Sequence, residues 1–186
     1  ICMSNLVPDN KVEAIKALGA KVCIVGNSQD QAEAEVLRLV SEQGMIYIPP
    51  FDHPHVIAGQ GTIGLEILED LPQIDMVLAG LSGGGLLGGI GLAIKDVLPE
   101  CQIIGVSMDQ GPAMIASLAA KQPIQVPEYS SLADSLGGGI GLQNQHSMDV
   151  IQRVMDRAYL VSEQAIANAM IKSSCLPFMW SGLPFI

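Results

Sequence analysis

The aliphatic run Met76-Val77-Leu78-Ala79 leads into Gly80-Leu81-Ser82-Gly83-Gly84-Gly85-Leu86-Leu87. A buried strand followed at once by a Ser-Gly-Gly-Gly turn that opens a helix is a place to hold an anion. Glycines lack Cβ atoms, so successive backbone N–H groups can turn inward on one ligand. The helix N-terminus adds partial positive charge. Between Lys21 and this loop the only cation is Arg38, and the next is Lys95. A phosphate held here would therefore rest on backbone amides. The same residues also suit a tight strand–helix turn with no ligand. The loop is not a P-loop, which needs Gly-x-x-x-x-Gly-Lys-Ser/Thr, and it misses the Gly-x-Gly-x-x-Gly register of dinucleotide sites.

Other groupings carry less chemistry. Asp52, His53 and His55 are close in sequence, but Pro54 disrupts their spacing and no third ligand cluster accompanies them. Helix-start and junction roles are expected for them, and no metal. Cys2, Cys23, Cys101 and Cys175 form no Cys-x-x-Cys pair. Free, mostly buried thiols in a reducing cytosol are the expectation, with Cys101 structural and not a nucleophile. Glu66, Glu69 and Asp70 read as a solvated helix face.

The elements that must position the loop alternate strand and helix. Asn10 with Glu13 can cap a first helix through Leu18, stopped by Gly19. Val22 to Val25 is a strand. Ser28 with Gln31 forms a capping box for a helix that ends near Gly44. Met45 to Ile48 reads as a further strand, and Val56 to Leu71 as a helix. Strands at Met76 to Ala79 and Ile103 to Ser107 alternate with helices at Leu86 to Val97 and Ala113 to Ala119. Gln122 to Ser131 is a connection, and Gly137-Gly138-Gly139 a flexible element. Ser147 is a candidate cap for a helix from Met148 to Met155, and Ser162 for one from Glu163 to Lys172, with a short strand between at Ala158 to Val161. This order implies an α/β fold, a parallel twisted sheet with helices on both faces and a ligand beyond the strands' carboxyl ends. Gly88, Gly89 and Gly91 each cost their helix about 1 kcal/mol against Ala, so something must approach it closely.

The 186 residues are 49% hydrophobic and 15% charged, enough to bury a core. Nine Lys and Arg stand against nineteen Asp and Glu, a formal charge of −10. Phosphate backbones and anionic membranes need a basic face, so neither nucleic acid nor a membrane is an expected partner. No apolar stretch is long enough to span a bilayer.

Several blocks together resemble the threonine/serine dehydratase and serine racemase group of pyridoxal-phosphate enzymes (fold type II, tryptophan synthase β-like). They are Lys11 to Ala20, Pro50-Phe51-Asp52-His53-Pro54 running into Ala58-Gly59-Gln60-Gly61-Thr62, then Ser82-Gly83-Gly84-Gly85-Leu86, and finally Ala133-Asp134-Ser135 with Gly139-Ile140-Gly141-Leu142. The Ser82 form of the loop looks most like the hydroxyectoine-utilisation dehydratase branch. The resemblance implies that the amides of Ser82, Gly83, Gly84, Gly85 and Leu86 cradle the phosphate of pyridoxal 5′-phosphate, with Phe51 beside the cofactor. It implies that Gly59 to Thr62 start the helix after the domain junction and that Asp134 to Gly139 lie near the cofactor ring, although Ser135 replaces the usual Gly. The acidic position that binds a divalent cation in some racemases is Ser107 here, and the following one Ala113, which implies no metal.

The implied activity is β-elimination from a hydroxy amino acid, giving a keto acid and ammonia. An amino-acid racemase, a non-catalytic phosphate-binding fragment and a nucleotide-binding oxidoreductase domain are the alternatives. The family's Schiff-base lysine sits in a Ser-x-Lys-x-Arg-Gly motif. None of Lys11, Lys16, Lys21, Lys95, Lys121 or Lys172 has that context. No catalytic residue is therefore assigned, and the chain reads as an inactive fragment of a cytoplasmic enzyme that is a homo-oligomer when full length. Its expected divisions are 1–52, the distal part of a small α/β domain; 53–174, an incomplete large cofactor-binding domain; and 175–186, an anomalous, frameshifted or chimeric tail.

Overall fold

The computed structural model describes residues 1–175, with side chains described through Lys172. Its elements are β1 (Cys2–Met3), α1 (Asp9–Ala17), β2 (Cys23–Ile24), α2 (Gln29–Gln43), α3 (Pro54–Asp70), β3 (Met76–Gly80), α4 (Gly85–Val97), β4 (Gln102–Met108), α5 (Ala113–Ala120), α6 (Ser147–Val154), β5 (Arg157–Val161) and α7 (Glu163–Cys175), with a single 3-10 turn at Asp134–Leu136. The strands form two parallel sheets, β1–β2 and β3–β4–β5. β4 is central, and its β-branched Ile103 and Ile104 are buried. β3 is not the buried strand expected from its composition: as an edge of its sheet it leaves Met76 and Leu78 about half exposed, as β5 leaves Tyr159 and Leu160.

The glycines of α4 have a packing explanation. A Cβ on Gly89 would stand 2.2 Å from the Ile57 carbonyl oxygen and 2.6 Å from the Gly61 nitrogen, both on α3. On Gly91 it would meet Val154 of α6 at 2.5 Å, and on Gly88 it would meet Val150 of α6 at 2.9 Å. α4 is thus a glycine-surfaced helix that α3 and α6 approach too closely for side chains. Around it lies the core: Leu87, Ile90 and Ile94 pack with Leu81, Ile103, Met114, Ile140 and Ile151.

Many sequence expectations hold at the level of caps. Ser28 Oγ accepts from the Gln31 N–H at 3.2 Å, and Gly44 closes α2 in the left-handed region. Gln31 Oε1, however, accepts from Asn27 N–H and not from Ser28. Gly19, at φ +82°, follows α1, and Ser162 Oγ accepts from Ala165 N–H.

Four further expectations need correction. α1 begins after Pro8 with no side-chain cap, because Asn10 is already inside the helix. Met45 to Ile48 is not a strand; no neighbouring strand among the described residues offers it a ladder, and Ile46 and Ile48 are exposed. Ser147 does not cap α6 but is its first residue. Gly59 to Thr62 lie within α3, which Pro54 at its first position starts earlier. Of the tail expected to be anomalous, 175–186, Cys175 is the last residue of α7 and the rest lies outside the described residues. No helix among the described residues is long and apolar enough to cross a membrane.

Candidate anion-binding site

β3 carries the chain to Gly80, and the Leu81 N–H still donates to the Val106 carbonyl at 2.8 Å. The backbone then leaves the sheet. Gly84, at φ +87° and ψ −7°, is the N-cap of α4. The first helical bond at this end runs from Gly88 N–H to the Gly84 carbonyl at 2.9 Å. Among the described residues, none of the amides from Ser82 to Leu87 has a protein acceptor. Gly83, Gly84 and Gly85 are nevertheless buried. Buried N–H groups without partners are costly, and they mark a place where an anion would be stabilised.

Two walls clamp this loop. A Cβ on Gly83 would enter the Phe51 ring at 2.3 Å, and one on Gly85 would meet the Phe51 backbone at 3.1 Å. On the other side, a Cβ on Gly84 would meet Met114 of α5 at 2.8 Å and Ile151 of α6 at 2.9 Å. Phe51, which the resemblance implied near the cofactor, therefore lies against Gly83 and Gly85 of the loop, and Leu86 places its side chain partly in solvent. Leu136 also approaches: its Cδ2 would lie 2.9 Å from a Cβ on Gly80, which sets the segment 134–139 against the end of β3.

Phe51, Asp52 and His53 each serve a different helix N-terminus. Phe51 lies on the loop before α4. The Asp52 carboxylate accepts from the N–H groups of Gln145 (2.7 Å), His146 (2.9 Å) and Ser147 (2.8 Å) at the start of α6. His53 Nδ1 accepts from His55 N–H at 3.1 Å and caps α3. So Asp52 and His53 are helix caps, and among the described residues no three metal-binding side chains gather. Asn144 completes the α6 start by accepting from Met148 N–H at 3.0 Å. α4 alone of these three helices has neither a side-chain cap nor an acid in its first turn.

Sequence reasoning missed Asp52 as an acceptor because its partners lie 93 to 95 residues away. It also missed Glu128, whose Oε1 accepts from the Gln29 and Gly139 N–H groups and ties 137–139 to α2. Lys11 pairs with Asp134, Lys16 with Glu13 and Lys95 with Asp156. Burial pushes the Cys101 thiol up, against a nucleophilic role. Glu66, Glu69 and Asp70 are exposed.

The family model described as pyridoxal-phosphate dependent enzyme matches residues 1–173. This chain belongs to the pyridoxal-phosphate dependent enzyme family. Over 167 residues it is 58% identical to a Sinorhizobium fredii protein named provisionally as a threonine dehydratase, covering 90% of this chain and 50% of that one. It is 38% identical over 171 residues to a Thermotoga maritima L-threonine ammonia-lyase, covering 92% of this chain and 42% of that one. Among solved structures it is similar to maize serine racemase, with TM-score 0.80 and 29% identity over 93% of this chain and 52% of that one. It is also similar to the processed threonine deaminase isoform 2 of Solanum lycopersicum, with TM-score 0.73 and 34% identity over 86% of this chain and 46% of that one. The chain spans about half the length of the curated relatives it matches. The α/β fold with parallel sheets is that of the fold type II pyridoxal-phosphate enzymes. The residues present fit the phosphate of the family's cofactor: the partnerless amides of the glycine loop supply donors at a helix N-terminus.

Proposed function

We propose that this chain supplies the phosphate cradle of a pyridoxal-phosphate-dependent ammonia-lyase acting on a hydroxy amino acid of the threonine or serine type. The observation that carries it is the contrast between three neighbouring helix starts. α3 has His53 and α6 has Asp52, whereas α4 offers buried amides with no protein acceptor. Ser82, Gly83, Gly84, Gly85 and Leu86 hold the phosphate through backbone N–H groups, and Phe51 closes one side of the loop. The chemistry supplied by a bound pyridoxal ring is electron withdrawal from the substrate α-carbon, which here ends in loss of the β-hydroxyl and release of a keto acid and ammonia. With no lysine paired to this loop, the chain alone holds the phosphate without turnover.

The separate sheets, β1–β2 and β3–β4–β5, support a division near residue 52. The likeness to maize serine racemase favours a second reading, an amino-acid racemase of the same fold. A cytoplasmic homo-oligomer is the expected setting of the full-length enzyme, and its free thiols support a reducing compartment.

The test is calorimetry of the purified chain with pyridoxal 5′-phosphate, pyridoxal and inorganic phosphate. Pyridoxal 5′-phosphate and phosphate should bind competitively, pyridoxal should bind far more weakly, and Gly84→Asp should abolish binding. Equal affinity for pyridoxal and its phosphate ester would overturn the cradle. In the full-length enzyme, ammonia release from L-threonine or L-serine supports the lyase, and inversion at the α-carbon without ammonia supports the racemase.

A further inference from the structure

The two walls of the glycine loop are joined by one carboxylate. Phe51 forms the first wall, against Gly83 and Gly85, and is covalently adjacent to Asp52. α6 forms part of the second: Ile151 approaches Gly84, and Ser147 Cβ would stand 3.4 Å from a Cβ there. Asp52 Oδ1 accepts from His146 and Ser147 N–H, and Oδ2 from Gln145 N–H. Both oxygens are therefore committed to the α6 wall, one residue from the ring that makes the other. We infer that Asp52 is a positioning residue that ties Phe51 to α6 and thereby sets the shape of the amide cradle.

The chemistry explains why a carboxylate is needed. Three converging N–H donors at a positive helix end call for an acceptor-only group. Asn offers one acceptor oxygen and turns its NH₂ donors toward N–H donors. Charge-assisted bonds are also the stronger kind. Cutting the tie frees Phe51 to lift from Gly83 and lets the loop's N–H groups lose their common direction. Asn144 provides a contrast, because it caps the same helix through Met148 N–H and donates to the Ile140 carbonyl and Ser147 Oγ, with no hydrogen bond to Phe51 or Asp52.

The inference rests on the phosphate-cradle reading for its ligand, but its structural half can be measured without one. Hydrogen–deuterium exchange and calorimetry with pyridoxal 5′-phosphate would be run on the full chain, as wild type, Asp52→Asn, Asp52→Glu and Asn144→Ala. Asp52→Asn should speed exchange at Gly88, whose N–H is bonded to the Gly84 carbonyl of the loop, as well as at 145–147, and weaken pyridoxal 5′-phosphate binding about tenfold, the size expected for lost charged hydrogen bonds. Asn144→Ala should speed exchange only at the start of α6. Asp52→Glu, which keeps the charge, should restore part of both losses, and it carries the exchange comparison with wild type if Asp52→Asn does not fold. Exchange at Gly88 that stays at the wild-type rate in the Asp52 variants, or that rises equally in Asn144→Ala, would overturn the inference. Wild-type chain that binds no pyridoxal 5′-phosphate would defeat the cradle reading, while exchange at Gly88 still decides the role of Asp52.

Discussion

Gly89 of α4 lies against Gly61 of α3 so closely that a Cβ on Gly89 would stand 2.6 Å from the Gly61 nitrogen. Backbone meets backbone here, and neither helix can yield without moving the whole element. This contact sets the height of α4, and with it the loop at its N-terminus.

Gly89→Ala should therefore destabilise the chain. Overpacking a core typically costs about 1–3 kcal/mol, and the better helix propensity of Ala returns only about 1. A backbone clash belongs at or beyond the upper end of that cost. We expect a net loss of about 2 kcal/mol in urea unfolding, with Gly59→Ala inside α3, which meets nothing within 4 Å, as the control that should gain up to about 1 kcal/mol.

Asp156 should confer acid sensitivity. Its carboxylate accepts from Ile103 N–H at 2.7 Å and pairs with Lys95 at 2.9 Å, and these bonds hold it below the usual carboxylate range. A depressed folded value means that the stabilisation is complete above the ordinary carboxylate pKa of about 3.9 and disappears as pH falls through the lower folded value. Urea midpoints of wild type and Asp156→Asn should differ at pH 7 and converge below about pH 4.

Cys2 should be a sluggish thiol. It is the register partner of Cys23 across β1 and β2. Burial, reinforced by the Cys23 thiol, pushes its pKa up, which lowers the thiolate fraction at neutral pH. Alkylation at pH 7.5, followed by peptide mass spectrometry, should be slower at Cys2 than for an unhindered cysteine peptide and should accelerate toward pH 9.5. Cys101, 3% exposed, should resist alkylation until the chain unfolds.

Ser28→Ala should loosen the start of α2. The Ser28 hydroxyl satisfies the Gln31 N–H, and loss of such a cap costs about 1 kcal/mol. Circular dichroism and urea melts should show that loss, with Ser28→Asp retaining most of the wild-type stability.

Local information carried far along this chain. The Ser28 cap, the Gly44 stop, the β3–loop–α4 sequence and the parallel α/β order were all legible, because each depends on residues a few positions apart. The glycine loop was legible as a run of free donors for the same reason: backbone N–H groups without Cβ atoms are a property of the run itself. Asn10 misled because α1 starts earlier, after Pro8, with no side-chain cap, and Ser147 because the first amides of α6 are taken by the distant Asp52 and by Asn144. Met45 to Ile48 has strand composition, but a strand needs a partner ladder, which composition does not supply.

The sequence by itself determined the loop, its lack of basic side chains and the family resemblance. Only the tertiary structure decided why α4 is full of glycine, what clamps the loop and what Asp52 does. The reason is physical: these depend on approaches between residues tens of positions apart, as between Gly61 and Gly89 or Asp52 and Ser147. No periodicity or local propensity encodes such distances; they exist only once the helices have packed.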